Sequence, residues 1–197
     1  MIILASQSPR RKELLEEILG DIPFEVCPSS FEERKIESKD VRKLCLREAQ
    51  GKGYKVSLSH PGDYVISADT RVSFKGQQLG KPKDEEDVFR RLRELSGNTH
   101  EVITAYAIYL DGKELKHRIC QSKLFMEKRA DREIQEYIDT GSPFDKAGAY
   151  GIQDKDFINA KIMDGSYENI RGLPIDELEE DLVNLGIIKY KIRLYGY

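Results

Sequence analysis

Apolar positions along this chain switch repeatedly between a short-run pattern and a helical one. Ile2, Ile3, Leu4 and Ala5 form a compact apolar run that reads as a strand. Leu14, Leu15, Ile18 and Leu19 then recur at helical spacing, which predicts a helix over 9–19 ending near Gly20. Ser8 suits its N-cap and Pro9 its first position. Phe24 to Cys27 reads as a second short strand, followed by an irregular acidic stretch through Glu32-Glu33. A helix is expected over 40–56, its end weakened by Gly51 and Gly53. Tyr64 to Ala68 reads as a buried strand that delivers Asp69 at its end. Asp84 caps a helix whose Val88, Leu92 and Leu95 share one face, stopped at Ser96-Gly97. His100 to Tyr109 and residues 114–126 read as a hairpin turning at Asp111-Gly112. A helix over Ala130 to Thr140 follows, then a strand over Phe157 to Met163 and a helix from Pro174 carrying Leu178, Leu182 and Leu185. Strands alternating with helices, plus a hairpin, predict an α/β fold with a mixed sheet. We expect one domain over 1–186 and a C-terminal tail over 187–197 that reads as a frayed end.

Composition narrows the function classes. The chain has 197 residues, of which 39% are hydrophobic and 34% charged, enough to build a core and stay in water. The net charge of −3 gives no global attraction to nucleic acid, so any anion site is local. No apolar run is long enough to span a bilayer, and Met1 to Leu4 lacks the features of a secretory signal. Cys27, Cys45 and Cys120 are widely spaced and form no zinc or redox motif; they read as inert packed thiols in a reducing cytoplasm.

Four segments carry candidate chemistry. Arg10, Arg11 and Lys12 crowd the first turn of the first helix, where a cation costs about 0.3–1 kcal/mol at low salt. With the Ser6 and Ser8 hydroxyls and free backbone N–H groups they make a phosphate site; they also suit a solvated basic turn. Asp69-Thr70 follows a buried strand, where a carboxylate can bind a metal or orient water, or simply cap a turn. Gly80-Lys81-Pro82 adds a cation but is not a P-loop, and His100 suits a structural hydrogen bond more than catalysis. Gly141 to Gln153 is a glycine-rich loop with Lys146 and with a Gln153 amide suited to a nucleobase edge.

In order along the chain, Ser6-x-Ser8-Pro9-Arg10-Arg11, Ala68-Asp69-Thr70, Gly80-Lys81-Pro82, Leu95-Ser96-Gly97 with His100, Asp145 to Gln153, Gly165-Ser166-Tyr167 with Asn169, and Gly172-Leu173-Pro174 resemble the Maf family of nucleoside triphosphate pyrophosphatases. The resemblance implies a mixed twisted sheet with flanking helices and a cleft between two lobes, similar to ITP/XTP pyrophosphatases. It implies hydrolysis of a nucleoside triphosphate to monophosphate and pyrophosphate with Mg²⁺ or Mn²⁺, in a cytoplasmic and often homodimeric protein, with proposed roles in clearing unwanted nucleotides and restraining septum formation. Asp69 matches the proton acceptor, and Ser6, Ser8, Arg10 and Arg11 the phosphate loop. Glu33 matches an acidic residue expected with Asp69 at the metal, and Lys81 and Lys146 match triphosphate-neutralising cations. Arg10, Thr70 and Gln153 carry the pattern of the subfamily that prefers dTTP and UTP. Two departures stand out. The pair aligned with the family's Lys-Ala is Glu48-Ala49, with neither Arg47 nor Lys52 expected on the face of residue 48, and Arg71 follows Asp69-Thr70 where the family is mostly apolar. Glu48 keeps open an alternative, a nucleotide-binding regulator of cell division with little turnover; it also allows Glu48 to join Glu33 and Asp69 at a metal.

Overall fold

The longest apolar and β-branched runs become three long central strands, and these organise everything else. A computed structural model describes residues 1–31, 40–154 and 159–189. Strand β1 (Ile2–Leu4) lies between β2 (Phe24–Val26) and β3 (Tyr64–Phe74) and is parallel to both. The short β4 (Gln77–Leu79) folds back against β3. Strands β5 (Thr99–Leu110), β6 (Lys113–Met126) and β7 (Ala160–Asp164) extend the sheet antiparallel in the order β2-β1-β3-β5-β6-β7. Asp111 and Gly112 join β5 to β6 with φ of 51° and 74°, the double positive φ that matches strand twist in a tight hairpin. The mixed α/β sheet expected from the sequence is therefore present.

The two sheet faces are covered by different helices. Helix α1 (Pro9–Leu19) has the expected bounds, and its Leu14, Leu15, Ile18 and Leu19 pack on Ile2, Leu4, Ile66 and Tyr106. Helix α6 (Ile175–Asn184) joins this cluster through Leu178 and Leu182, and its Asp181 accepts hydrogen bonds from Tyr106 Oη at 2.6 Å and Arg118 Nε at 2.7 Å. Helix α2 (Val41–Ser59) covers the opposite face, with Cys45 and Ala49 on Ile103 and Ala105. It runs straight through the two glycines expected to weaken it. At Gly53 a Cβ would lie 2.5 Å from Ser67 Oγ and 2.8 Å from the Tyr109 ring, so this glycine lets helix and sheet approach closely rather than ending the helix.

A second lobe grows from the far halves of the long strands. Helices α3 (Glu85–Leu95) and α4 (Asp131–Asp139) bury Val88, Leu92, Leu95, Ile134 and Tyr137 against Phe74, Met126 and Tyr150. Helix α5 (Tyr167–Arg171) packs against β5, β6 and α1. The strand expected over 157–163 is observed as β7; residues 157–158, like tail residues 190–197, lie outside the described residues. Among the described residues no helix is long and apolar enough to cross a membrane.

His100 on β5 takes the structural role expected of it. It is 2% exposed and its Nε2 bonds the Tyr150 hydroxyl. Burial pulls its pKa from 6.5 down to about 4. The unfolded chain then binds the extra proton between those two values, so the stability from the neutral ring is complete above pH 6.5 and drains away as pH falls toward 4. The expected loss at pH 5 is about 2 kcal/mol. Denaturant unfolding at pH 7 and pH 5 checks this: His100→Gln removes that component of the pH slope, and an identical slope in the variant contradicts it.

Candidate active site

A cleft opens between the lobes where α1, β3, α5 and the loop after α4 meet. It is lined by Ser8, Arg10, Arg11, Thr70, Lys81, Lys146, Gln153 and Arg171, among others, over a floor that includes Val72, Val102 and Ile152. Seven of the residues singled out in the sequence therefore come together, namely Ser8, Arg10, Arg11, Thr70, Lys81, Lys146 and Gln153. Each is placed by local structure. Ser8 caps α1, its hydroxyl accepting the Arg11 N–H at 3.4 Å. Lys81 follows Gly80, whose carbonyl accepts from Arg91 of α3 and, at 3.2 Å, from the Gly148 N–H. Lys146 donates to the Ser142 carbonyl at 2.5 Å and to Asp145 Oδ1 at 2.7 Å. Gln153 is exposed to the cleft, and its amide makes no hydrogen bond among the described residues.

The three cations of the first helical turn have three different fates. Lys12 faces solvent and pairs with Glu16 at 3.6 Å. Arg10 reaches the cleft. Arg11 is spent on architecture: Nε donates to the Gly172 carbonyl at 2.8 Å, one terminal nitrogen to Thr70 Oγ1 at 2.9 Å and the other to Ser6 Oγ at 3.3 Å. Burial lowers its pKa, and the field of Asp69 opposes that shift. Thr70 in turn donates to Thr104 Oγ1 at 3.0 Å, and Thr104 donates to the Asn169 carbonyl at 2.8 Å. One directed chain thus ties α1, β3, β5 and α5 together, and Thr70 shapes the cleft chiefly by holding Arg11. Ser6 lies beneath, 7% exposed, accepting the Ser8 N–H at 3.2 Å as well as Arg11.

Asp69 sits differently from its expectation. It is in the middle of β3 rather than at a strand end, and it does not line the cleft. Alternation along the strand points Thr70 and Val72 to the cleft and Asp69 and Arg71 to the α2 face. Pairing of β1 with β3 stops at Leu4↔Ile66, and β4 begins at Leu79↔Val72. Residues 67–71 therefore have no strand neighbour on that side among the described residues, which leaves a notch in the sheet at Asp69. The carboxylate there is clamped by Lys52 Nζ at 2.8 Å and Arg71 Nε at 2.9 Å. Lys52 corrects a sequence expectation. Four residues is close to one helical turn, so Lys52 shares the α2 face of Glu48 and supplies the cation that Glu48 lacks. Cys45, beside Asp69, has its thiol pushed up to about 12 by burial and then by that carboxylate, which keeps it inert.

Residues 1–185 match the family described as Maf-like protein. This chain belongs to the Maf family. A relative from Clostridium botulinum (strain Okra / Type B1), named dTTP/UTP pyrophosphatase, is 42% identical over 193 residues, covering 94% of this chain and 97% of the relative. One of the same name from Geobacter sulfurreducens is 40% identical over 190 residues, covering 95% and 97%. Among solved structures, a HAM1 protein from Coxiella burnetii overlaps with a TM-score of 0.49 at 15% identity, covering 93% of this chain and 98% of that one.

In this Maf-like chain the metal expectation can be tested against the donors present. Among the described residues no three His, Cys, Asp or Glu side chains gather as a ready-made metal cage. Glu48 is buried on α2 and completes no such set, and Glu33 lies outside the described residues. A hard ion such as Mg²⁺ does not need a cage, because one or two carboxylates and substrate phosphates suffice. Asp69 fits that requirement: each oxygen accepts one cation and keeps a further lone pair at the notch. Sequence reasoning missed Arg171, which lines the cleft while pairing with Glu13 at 2.6 Å, and dismissed Lys52. Helical spacing from Glu48 was the available signal for Lys52; Arg171 had none, since only the fold brings α5 to the cleft.

Proposed function

We propose that this chain hydrolyses nucleoside triphosphates, dTTP and UTP above all, to the monophosphate and pyrophosphate. The observation that carries this reading is one cleft lined by Arg10, Lys81, Lys146, Arg171 and a free Gln153 amide, with Asp69 adjacent on β3 to the cleft residue Thr70. The two relatives named dTTP/UTP pyrophosphatase support the substrate class. Gln153 pairs with the O4/N3 edge of thymine or uracil, using one acceptor and one donor. The cleft cations and the α1 N-terminus take the phosphate charge, the usual protein contribution to phosphoryl chemistry. Asp69 accepts a proton from the water that attacks the α-phosphorus; the Pα–O–Pβ bond breaks and pyrophosphate leaves with the bonding electrons. Lys52 and Arg71 hold that carboxylate in place. Mg²⁺ or Mn²⁺, held by Asp69 with phosphate oxygens and by Glu33 as the family resemblance implies, would supply charge neutralisation and a more acidic water.

The second reading, a nucleotide-binding regulator with little turnover, rests on Glu48 standing where the family has lysine; Lys52, on the same helical face and paired with Asp69, favours the enzyme. Cytoplasmic location and a homodimer are further expectations of the family resemblance. The reading is tested by pyrophosphate release across a panel of purine and pyrimidine triphosphates with Mg²⁺ or Mn²⁺. dTTP and UTP are expected to lead the panel by at least about tenfold in kcat/KM, which one well-placed polar contact can supply. A purine at the head of the panel overturns the pyrimidine assignment, and no turnover with any nucleotide overturns the enzyme.

A further inference from the structure

The loop that carries Gln153 and Lys146 has no regular structure beyond two short 3₁₀ turns, Ser142–Asp145 and Ala147–Ala149. A base-reading amide needs firmer support than that. A glutamine turned by 180° about its last bond exchanges donor for acceptor, so it would read cytosine as well as thymine or uracil. Something must fix the loop on which it stands.

That support converges on one carboxylate oxygen. Asp154 Oδ2 accepts the Tyr137 hydroxyl at 2.6 Å and the Ser142 hydroxyl at 2.9 Å. The same Tyr137 oxygen accepts the Gly151 N–H at 3.2 Å, and the Asp154 N–H donates to the Gly151 carbonyl at 3.0 Å. Ser142 is the residue to which Lys146 is tied, at both its carbonyl and its hydroxyl. Tyr137 itself is anchored in the core of the second lobe, 1% exposed on α4. The Gln153 amide and the Lys146 stem both close over Gly151: a Cβ there would lie 2.6 Å from Gln153 Nε2 and 2.9 Å from Lys146 Cε. The cleft end of the loop is thus stapled from behind, at a residue that does not itself line the cleft.

We propose that Asp154 is a positioning residue for base selection: through Tyr137 and Ser142 it holds Gln153 and Lys146 in fixed register, and so sets discrimination between nucleobases rather than the rate of hydrolysis. This rests on reading the cleft as a nucleotide site. Because a single oxygen accepts both hydroxyls, the role is geometric and does not need the charge. Asparagine, whose carbonyl oxygen also accepts two hydrogen bonds, is therefore expected to replace aspartate, whereas alanine is not.

The test is kcat and KM for dTTP, UTP, dCTP and CTP in wild type, Asp154→Ala, Asp154→Asn and Tyr137→Phe. Asp154→Ala is expected to raise KM for dTTP and UTP about tenfold and to shrink their preference over the cytosine nucleotides by a similar factor, with kcat for dTTP within about twofold. Asp154→Asn is expected to stay near wild type, and Tyr137→Phe to follow alanine in direction. An unchanged base preference in Asp154→Ala overturns the proposal, as does an asparagine variant as impaired as alanine, or a loss confined to kcat. If wild type turns over none of the four, the enzymatic reading fails separately. Calorimetric Kd values for the same nucleotides then carry the test, and an unaltered base ranking in Asp154→Ala overturns it.

Discussion

Asp69→Asn is expected to lower kcat for dTTP by about 10²–10⁴, the range seen when a general base is removed. The substitution keeps shape and one hydrogen-bond acceptor but removes the proton acceptor and the negative charge. KM is expected to move far less, because the cations that face the cleft, Arg10, Lys81, Lys146 and Arg171, are untouched. Asp69 is only 7% exposed, and the substitution removes the charge that both Lys52 and Arg71 contact. A loss of about 1–3 kcal/mol in stability accompanies the change, the usual cost of leaving a buried polar group poorly satisfied. Steady-state kinetics beside a thermal unfolding curve separate the two effects. A folded variant that retains kcat within about threefold of wild type removes Asp69 from the chemistry, since general-base catalysis is worth far more than that.

Gly165→Ala is expected to be the most damaging of the small substitutions to the fold. Gly165 has φ +85°, and a Cβ there would lie 2.4 Å from Ser122 Oγ and 2.7 Å from both the Gln121 carbonyl and Ser122 Cα. Two of those three atoms are backbone, so the clash cannot be relieved by turning a side chain. The position matters because Ser122 exchanges hydrogen bonds with Ser166 at 3.1 Å and accepts from Asn169 at 2.8 Å. These bonds dock α5, and the end of α5 offers the Gly172 carbonyl to Arg11. Backbone strain and overpacking together give about 3–5 kcal/mol. For a chain of this size that lowers Tm by roughly 6–15 °C. Gly76→Ala is the control: φ is +76° there but nothing lies within 4 Å, so only the strain remains. Equal Tm losses in the two variants contradict the account of the clash.

The pattern of apolar residues was a good guide wherever a single face was buried. Helix α1 has the expected bounds because Leu14, Leu15, Ile18 and Leu19 make an unambiguous stripe and Ser8-Pro9 marks its start. The end of β3 was not legible. Asp69 and Arg71 look like loop residues in the sequence, but they pair with each other, Asp69 also pairs with Lys52, and the strand continues to Phe74. Gly51 and Gly53 read locally as helix breakers; at Gly53 the tertiary approach of Ser67 and Tyr109 decides the matter. Of the site, the cleft residues other than Arg171 that present their own side chains are legible from local chemistry and family resemblance. Those that act through a second residue, such as Arg11 on Thr70 or Asp154 on Tyr137, depend on contacts between segments far apart in the chain.

The most direct measurement incubates wild-type protein with dTTP and Mg²⁺ and identifies the products. The account predicts dTMP and pyrophosphate in equal amounts, from a single cleavage between the α- and β-phosphorus. Release of orthophosphate with dTDP would mean attack at the terminal phosphorus and would contradict the assignment of the cleft and of Asp69 together.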